Sequence, residues 1–225
     1  TLILARLLTP EDFGIVAIAT LAFGFLEVFS VTGSQQYILT TEKINDNVLN
    51  TAFTFDVLMK SFAALLFTCA TPWIAEYYND PRLIPVFFVF SFMLLIQGVR
   101  NPQVQVLRRN QNYAKIVRMT VFCKILSTIT AISIALITKS YWALIGGQFI
   151  AYSLPVIGGF IIAPYKPKLS FSNISVQFTF SGWLIPSSML GYFRTQIDTI
   201  LVSKFFDTVV LGSYHVMKYL ALIPS

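Results

Sequence analysis

The sequence is short of charge, cysteine and histidine. Only 12% of its 225 residues are Asp, Glu, Lys or Arg, about half the share of an ordinary soluble domain. That deficit excludes a charge-coated globule in water. Cysteine occurs twice, as Cys69 and Cys123. Both fall in or at the edge of apolar runs on what read as opposite membrane sides, so neither a disulfide nor a metal spacing is expected. The single histidine, His215, has no Cys or His companion. HExxH, GxSxG and phosphate-loop patterns are absent. The loops between apolar runs are too short for a soluble catalytic domain. No metal, no cofactor and no enzymatic activity is expected.

What is present is apolar sequence. Hydrophobic residues make up 56% of the chain, with 21 Phe and 10 Tyr, and the mean hydropathy is +0.70. Crossing a bilayer takes about 20 largely apolar residues. Runs of that kind are read at 13–39, 50–73, 83–99, 119–138, 141–163 and 178–206, with a truncated run ending near Leu8 and another starting near Val209. They are too long and continuous for barrel strands. The expected fold class is an all-α integral membrane protein, a polytopic helical bundle. With Thr at position 1, no signal peptide and a cut run at each end, the sequence reads as an internal segment of a longer protein.

The bases set the orientation. Loops on one side hold Lys43, Arg100, Arg108, Arg109, Lys115, Arg118, Lys166 and Lys168. Those on the other hold Arg6, Arg82, Lys139 and Lys204, beside Glu11, Asp12, Glu76, Asp80 and Asp207. Lys and Arg in short loops mark the cytoplasmic side, so the first set is cytoplasmic. Residues before Thr1 then start from that side. The same distribution accounts for the net charge of +6 without nucleic acid as a partner, and leaves membrane lipids as one.

One pattern is written twice. "LARLLTPEDFG" at 4–14 and "VSKFFDTVVLG" at 202–212 each place a base, two large apolar residues, a polar turn and a glycine, 198 positions apart. Six span crossings separate the copies, so both face the same side, as a parallel internal repeat requires. The expected organisation is an N-terminal six-helix lobe at 1–165 (spans 1–6), then a cytoplasmic linker and the start of a second pseudo-symmetric lobe at 166–225 (spans 7–8). An intact chain of at least twelve spans follows from that repeat.

Charges within apolar runs are costly in lipid and mark cavities or partners. Asp56 and Lys60, and again Arg194 and Asp198, stand four residues apart on one helical face. Either pair could be structural. A guanidinium suits bidentate contact with phosphate, so Arg194, Lys218 and Lys60 are read as substrate-binding candidates. Asp198, Asp56 and Glu27 are read as coupling or orienting candidates, with Asp198 orienting Arg194 first. Gly33, Pro72, Pro85, Pro155 and Pro186 are expected to break or kink spans.

Several stretches carry a family resemblance. "LARLLTPEDFGIVAIATLAFGFLEVFS", "LNTAFTFDVLMKS", "NDPRLIPVF", "NPQVQVLRRNQNYAKIVRM", "FSGWLIPSSMLGYFRTQIDTILVSKFF" and "LGSYHVMKYLALIP" resemble successive signatures of Wzx-type polysaccharide flippases of the MOP exporter superfamily, in the colanic-acid and teichuronic-acid exporter subgroup. Ser203, Lys204 and Met217 depart from that pattern. The resemblance implies two six-helix lobes around a cavity and residence in the bacterial inner membrane. It also implies a cargo of undecaprenyl-pyrophosphate-linked oligosaccharide, moved from cytoplasmic to periplasmic leaflet by alternating access in polysaccharide biosynthesis. Other polysaccharide assembly proteins are then further partners. A multidrug antiporter of the same superfamily, a membrane glycan polymerase or ligase, and an envelope scaffold are the alternatives.

Overall fold

A computed structural model of the chain describes residues 2–172 and 174–221. Ten helices follow one another among them: α1 (Leu2–Leu7), α2 (Pro10–Phe29), α3 (Ser34–Thr40), α4 (Asp46–Tyr77), α5 (Leu83–Gly98), α6 (Gln103–Arg109), α7 (Tyr113–Thr138), α8 (Trp142–Ile162), α9 (Ile174–Phe205) and α10 (Thr208–Ala221). No strand is found among the described residues. The all-α expectation holds. The last four residues of the expected eighth span, 222–225, lie outside the described residues.

Helix starts follow local chemistry. In α2, Thr9 accepts from the Asp12 amide at 3.2 Å while Asp12 accepts from the Thr9 amide at 3.0 Å, with Pro10 at the first helical position. This reciprocal cap satisfies amides that have no partner within the helix. Asn45 does the same service for α4, accepting from the Val48 amide at 2.9 Å. Pro72, Pro155 and Pro186 all lie inside helices that continue through them. The expected kinks are therefore no breaks in the chain's helical path.

One expected span and one expected loop change. The run at 13–39 is two helices, α2 and α3, because the chain leaves helical geometry at Ser30 and turns at Gly33, whose φ of 64° is left-handed. A side chain in that conformation is disfavoured, so glycine is required. The loop read at 100–118 contains α6, which leaves α5 at a bend of 64°. Asn101 holds the bend: its buried amide donates to the carbonyls of Gly159 at 2.9 Å and Ala163 at 2.7 Å, the end of α8. On α6, Arg109 in turn donates to carbonyls of Ile38, Thr41 and Glu42 at the end of α3.

Among the described residues, four helices are long and apolar enough to cross a membrane (α2, α4, α7 and α8), and a fifth crossing results if α5 and α6 count as one bent span. Although α9 runs for 32 residues, it is not among them. Arg194, Asp198 and Lys204 sit along it with Gln177 and Gln196.

The main core gathers Ile15, Phe23, Phe67, Phe87, Phe90 and Met93 from α2, α4 and α5, each at most 1% exposed. Phe23 stacks obliquely on Phe90 at 5.1 Å between ring centres and meets Tyr152 of α8 edge-on at 5.2 Å. Such pairs add to simple burial. The opposite faces of α7 and α9 expose Ile137, Trp183 and Leu190, as helices in lipid do.

The two copies of the repeated pattern meet. Gly14 of α2 lies against Thr208, and Gly212 of α10 lies against Pro10. In pattern coordinates, Pro10 corresponds to Thr208 and Gly14 to Gly212. The contact is reciprocal, each glycine meeting the start of the other copy.

Candidate functional site

The break between α2 and α3 assembles the polar residues of the N-terminal helices. With the helical ladder interrupted at 30–33, the last carbonyls of α2 need other donors. Ser30 Oγ donates to the Glu27 carbonyl at 3.0 Å, and Lys60 Nζ of α4 reaches the same oxygen at 3.5 Å. An ammonium at the carboxyl end of a helix also meets the negative end of its dipole. Beyond the break, the Thr32 hydroxyl donates to Asp56 Oδ1 and accepts from the Ser34 amide at 3.4 Å. Thus Asp56 and Lys60, though one turn apart on α4, serve opposite sides of the break. The structural alternative, an ion pair between them, is not formed.

Around these groups lies a cavity of about 180 Å³, lined by Glu27, Thr32, Asp56, Lys60, Gln97 and Arg100 among others. The lining brings two acids and two bases together, and none of the four is in an ion pair among the described residues. Gln97, only 4% exposed, has no partner for its side-chain nitrogen among the described residues, and its oxygen accepts from Arg100 at 3.4 Å. Three donor-bearing side chains therefore face the cavity with spare hydrogens. Groups so placed are costly unless a polar guest or water completes them.

The break is also where α9 attaches. Ser181 Oγ donates to the Thr32 carbonyl, Ser34 Oγ donates to Gln177 Oε1 at 3.3 Å, and Gln177 Nε2 donates to the Val48 carbonyl at 3.3 Å. Gly33 packs under Phe180 and Leu184. Thr32 therefore touches Asp56 through its side chain and α9 through its backbone.

The second cluster lies between α9 and α10 and is closed on itself. Lys218 Nζ donates to Thr199 Oγ1 at 2.8 Å, Asp198 Oδ1 at 2.9 Å, the Thr195 carbonyl at 3.0 Å and Gln196 Oε1 at 3.3 Å. The other Asp198 oxygen accepts from the Tyr214 hydroxyl. The expected pairing of Asp198 with Arg194 gives way to this one. Lys218 reaches across from α10 into a ring of oxygens, whereas Arg194 stays exposed on α9 with no hydrogen bond or ion pair among the described residues. Arg194 and Lys218 are thus not arranged as a joint anion clamp.

Between α2, α4 and α9 runs an apolar cavity of about 510 Å³, with Phe25, Phe67, Trp73, Tyr78 and Tyr192 in its wall. Glu11, in the first turn of α2, and Asp80, in the turn between α4 and α5, grip Arg82 at 2.6 and 2.9 Å. The two carboxylates raise the guanidinium above its ordinary range.

Among the candidates, Glu27, Asp56 and Lys60 come together, and Asp198 and Lys218 come together; Arg194 joins neither set. Thr32, Gln97 and Arg100 were not singled out by sequence. Arg100 reads as one more cytoplasmic base, while Thr32 and Gln97 are ordinary polar residues inside apolar runs. A polar residue next to Gly33 is the one signal that points to the break.

Residues 3–225 match the polysaccharide biosynthesis protein family. The chain belongs to that family. It is 23% identical over 226 residues to the succinoglycan biosynthesis transport protein ExoT of Rhizobium meliloti, covering 99% of this chain and 46% of the relative. Against the lipopolysaccharide biosynthesis protein WzxC of Escherichia coli it is 21% identical over 232 residues, again 99% of this chain and 46% of the relative. A membrane protein in the cps region of Klebsiella pneumoniae is 20% identical over 227 residues, 99% of this chain and 47% of the relative. The chain thus spans about half the length of these relatives. No solved structure matches it. Family membership and the apolar helices together make it a multi-pass membrane protein of the polysaccharide biosynthesis family; ExoT is named as a transport protein and the Klebsiella relative as a membrane protein.

Proposed function

We propose that the full-length protein is a flippase, not an enzyme, that carries an undecaprenyl-pyrophosphate-linked oligosaccharide from the cytoplasmic to the periplasmic leaflet of the inner membrane by alternating access. The observation that carries this reading is the broken helix α2–α3, whose ends and neighbours surround a cavity with unpaired acids, bases and a buried amide. Irregular backbone inside a membrane protein belongs where it lines a cavity, and discontinuous helices build transporter sites in that way. A charged diphosphate and its sugars face a prohibitive barrier in bare hydrocarbon. A polar lining within the bundle lowers it, while the polyprenyl tail stays among apolar helix faces such as that between α2, α4 and α9.

In this reading Lys60 and Arg194 contact the anionic head. Lys218, already surrounded by oxygens, acts by holding α9 to α10 or by changing partners as cargo enters. Glu27 and Asp56 couple the cycle to a cation, and Asp198 orients Lys218. Residues 1–165 form one lobe and 166–225 begin its pseudo-symmetric partner, with membrane lipids and other polysaccharide assembly proteins as partners.

The test is leaflet exposure of the lipid-linked glycan in cells deleted for the gene, probed with a lectin or glycosidase confined to the periplasm. Wild-type protein restores exposure. Lys60→Ala and Arg194→Ala at normal membrane levels reduce it at least tenfold. Equal exposure with an empty vector, in cells without a second flippase, defeats the cargo assignment.

A further inference from the structure

Two cavities of opposite character share part of their walls. The apolar cavity of about 510 Å³ between α2, α4 and α9 is lined, at the end nearest the α4–α5 turn, by Ile18, Tyr78 and Ser203. The same three residues line a polar cavity of about 800 Å³, whose wall continues through Glu11, Tyr77, Asn79, Lys204, Phe206 and Asp207. The two spaces therefore adjoin.

The apolar cavity asks for no hydrogen bonds. Tyr192 Oη donates to the Leu21 carbonyl at 2.6 Å and Ser203 Oγ to the Ile200 carbonyl at 2.8 Å, which leaves Tyr78 as the donor to Ser203 at 3.3 Å. Every hydroxyl in its wall is spent, and the other side chains are aliphatic or aromatic apart from Cys69. From the shared end the cavity follows α2 from Ile18 to Leu26 and α4 from Tyr78 back to Leu66, about 12 and 18 Å of helix. One leaflet is about as deep, being half of a hydrocarbon core about 30 Å thick. Leu66 and Trp73, at 41% and 71% exposed, mark its open side.

The polar cavity is the reverse. The side chains of Asn79, Lys204 and Asp207 make no hydrogen bond or ion pair among the described residues. Lys204 meets the ring of Phe205 at 5.7 Å, and Glu11 shares its carboxylate with Arg82. Tyr77 and Phe206 present rings that are 63% and 59% exposed. An ammonium pairs with phosphate oxygens, and carboxylates accept from sugar hydroxyls. Aromatic faces cover the C–H face of a sugar ring.

We propose that the adjoining cavities form one binding site for a prenyl lipid with a phosphate-linked sugar head. Its chain lies in the groove between α2, α4 and α9, and its head lies against Asn79, Lys204 and Asp207. A plain hydrocarbon would leave the polar wall unmet, and a free sugar would leave the groove empty. The site lies at the Pro10 end of α2, whereas the cavity at the helix break lies at the Phe29 end, about 30 Å along the helix. It is a second binding place, in the leaflet beside the acid-rich loops. The identity of the lipid rests on the transport reading, but occupancy is measurable without transport.

The experiment uses full-length protein in vesicles of phosphatidylethanolamine and phosphatidylglycerol with a minor fraction of undecaprenyl pyrophosphate carrying N-acetylglucosamine. Photoreactive benzoylphenylalanine replaces Leu66 in the groove, Tyr77 in the polar cavity, or Ile137 on α7, which is 82% exposed. Captured lipid is identified by mass spectrometry. Positions 66 and 77 capture the prenyl lipid about tenfold above its share of the vesicle, while position 137 captures lipids in proportion. Lys204→Gln with Asp207→Asn lowers capture at both positions about tenfold, as loss of hydrogen bonds to charged groups does.

Capture of phospholipid in bulk proportion at 66 and 77 overturns the site, and this comparison stands even where the double variant fails to insert. Capture of another part of the protein from position 66 also overturns it, because the groove is then covered by the chain. Loss at 77 without loss at 66 in the double variant overturns the single ligand. Selective capture by a protein that does not restore leaflet exposure sinks the transport reading and leaves the site. Restored exposure without selective capture does the opposite.

Discussion

The two charged clusters use similar residues in opposite ways. At the α2–α3 break, Glu27, Asp56, Lys60 and Arg100 share a cavity wall without pairing. Between α9 and α10, Lys218 and Asp198 pair at 2.9 Å and their remaining partners are supplied by Thr199, Gln196 and Tyr214. Both begin as charges on helices in an apolar chain. The difference is backbone: between α9 and α10 side chains supply most of the partners, the Thr195 carbonyl being the exception, whereas the broken α2–α3 adds freed carbonyls, an amide and a cavity. A cluster with unspent donors is suited to a guest, and a saturated one to holding helices together.

Substitutions can sharpen that contrast. Thr32→Val should have the largest effect on folding, about 2 kcal/mol, because it removes a hydrogen bond to a charged group at the residue that also receives α9. The check is thermal unfolding in detergent, and an unchanged midpoint would show that the break does not hold Asp56. Gly33→Ala follows at about 1–2 kcal/mol, from the left-handed backbone together with Phe180 and Leu184 atoms at 3.1 and 3.2 Å from the added carbon. Lys218→Met should cost about 1 kcal/mol, discounted because Asp198 is 43% exposed. The double variant with Asp198→Asn should recover more than half of that loss, since it removes the stranded carboxylate. Additive losses in that cycle would mean the pair is not closed in the way described. Arg82→Ala comes last, below about 0.5 kcal/mol, because the ion pair with Glu11 is exposed on both sides. Added salt should shrink even that.

Much of the membrane architecture was legible from composition and periodicity. Hydropathy located α4, α5 and α8 to within a few residues. The repeated pattern recurs at the starts of α2 and α10, and those starts meet. The break at 30–33 was not legible as a break, because Ser30, Val31 and Thr32 do not interrupt an apolar run enough to end a helix. Only Gly33 marked it. Nor could i, i+4 spacing decide pairing: Asp198 had Arg194 one turn away on its own helix and took Lys218 from the next, which brings three further oxygens into reach.

Sequence alone determined that this chain crosses a membrane several times, where most helices run and where a pattern recurs. Those properties depend on transfer of residues from water to lipid and on local backbone preference, which neighbouring residues settle among themselves. Tertiary structure alone decided which charges pair, that Gly33 opens a cavity beside Asp56 and Lys60, and that Gly14 and Gly212 meet across α2 and α10. These depend on distances between residues far apart in the chain. Hydrogen bonds and steric contact act over a few ångströms, so only the folded arrangement sets them.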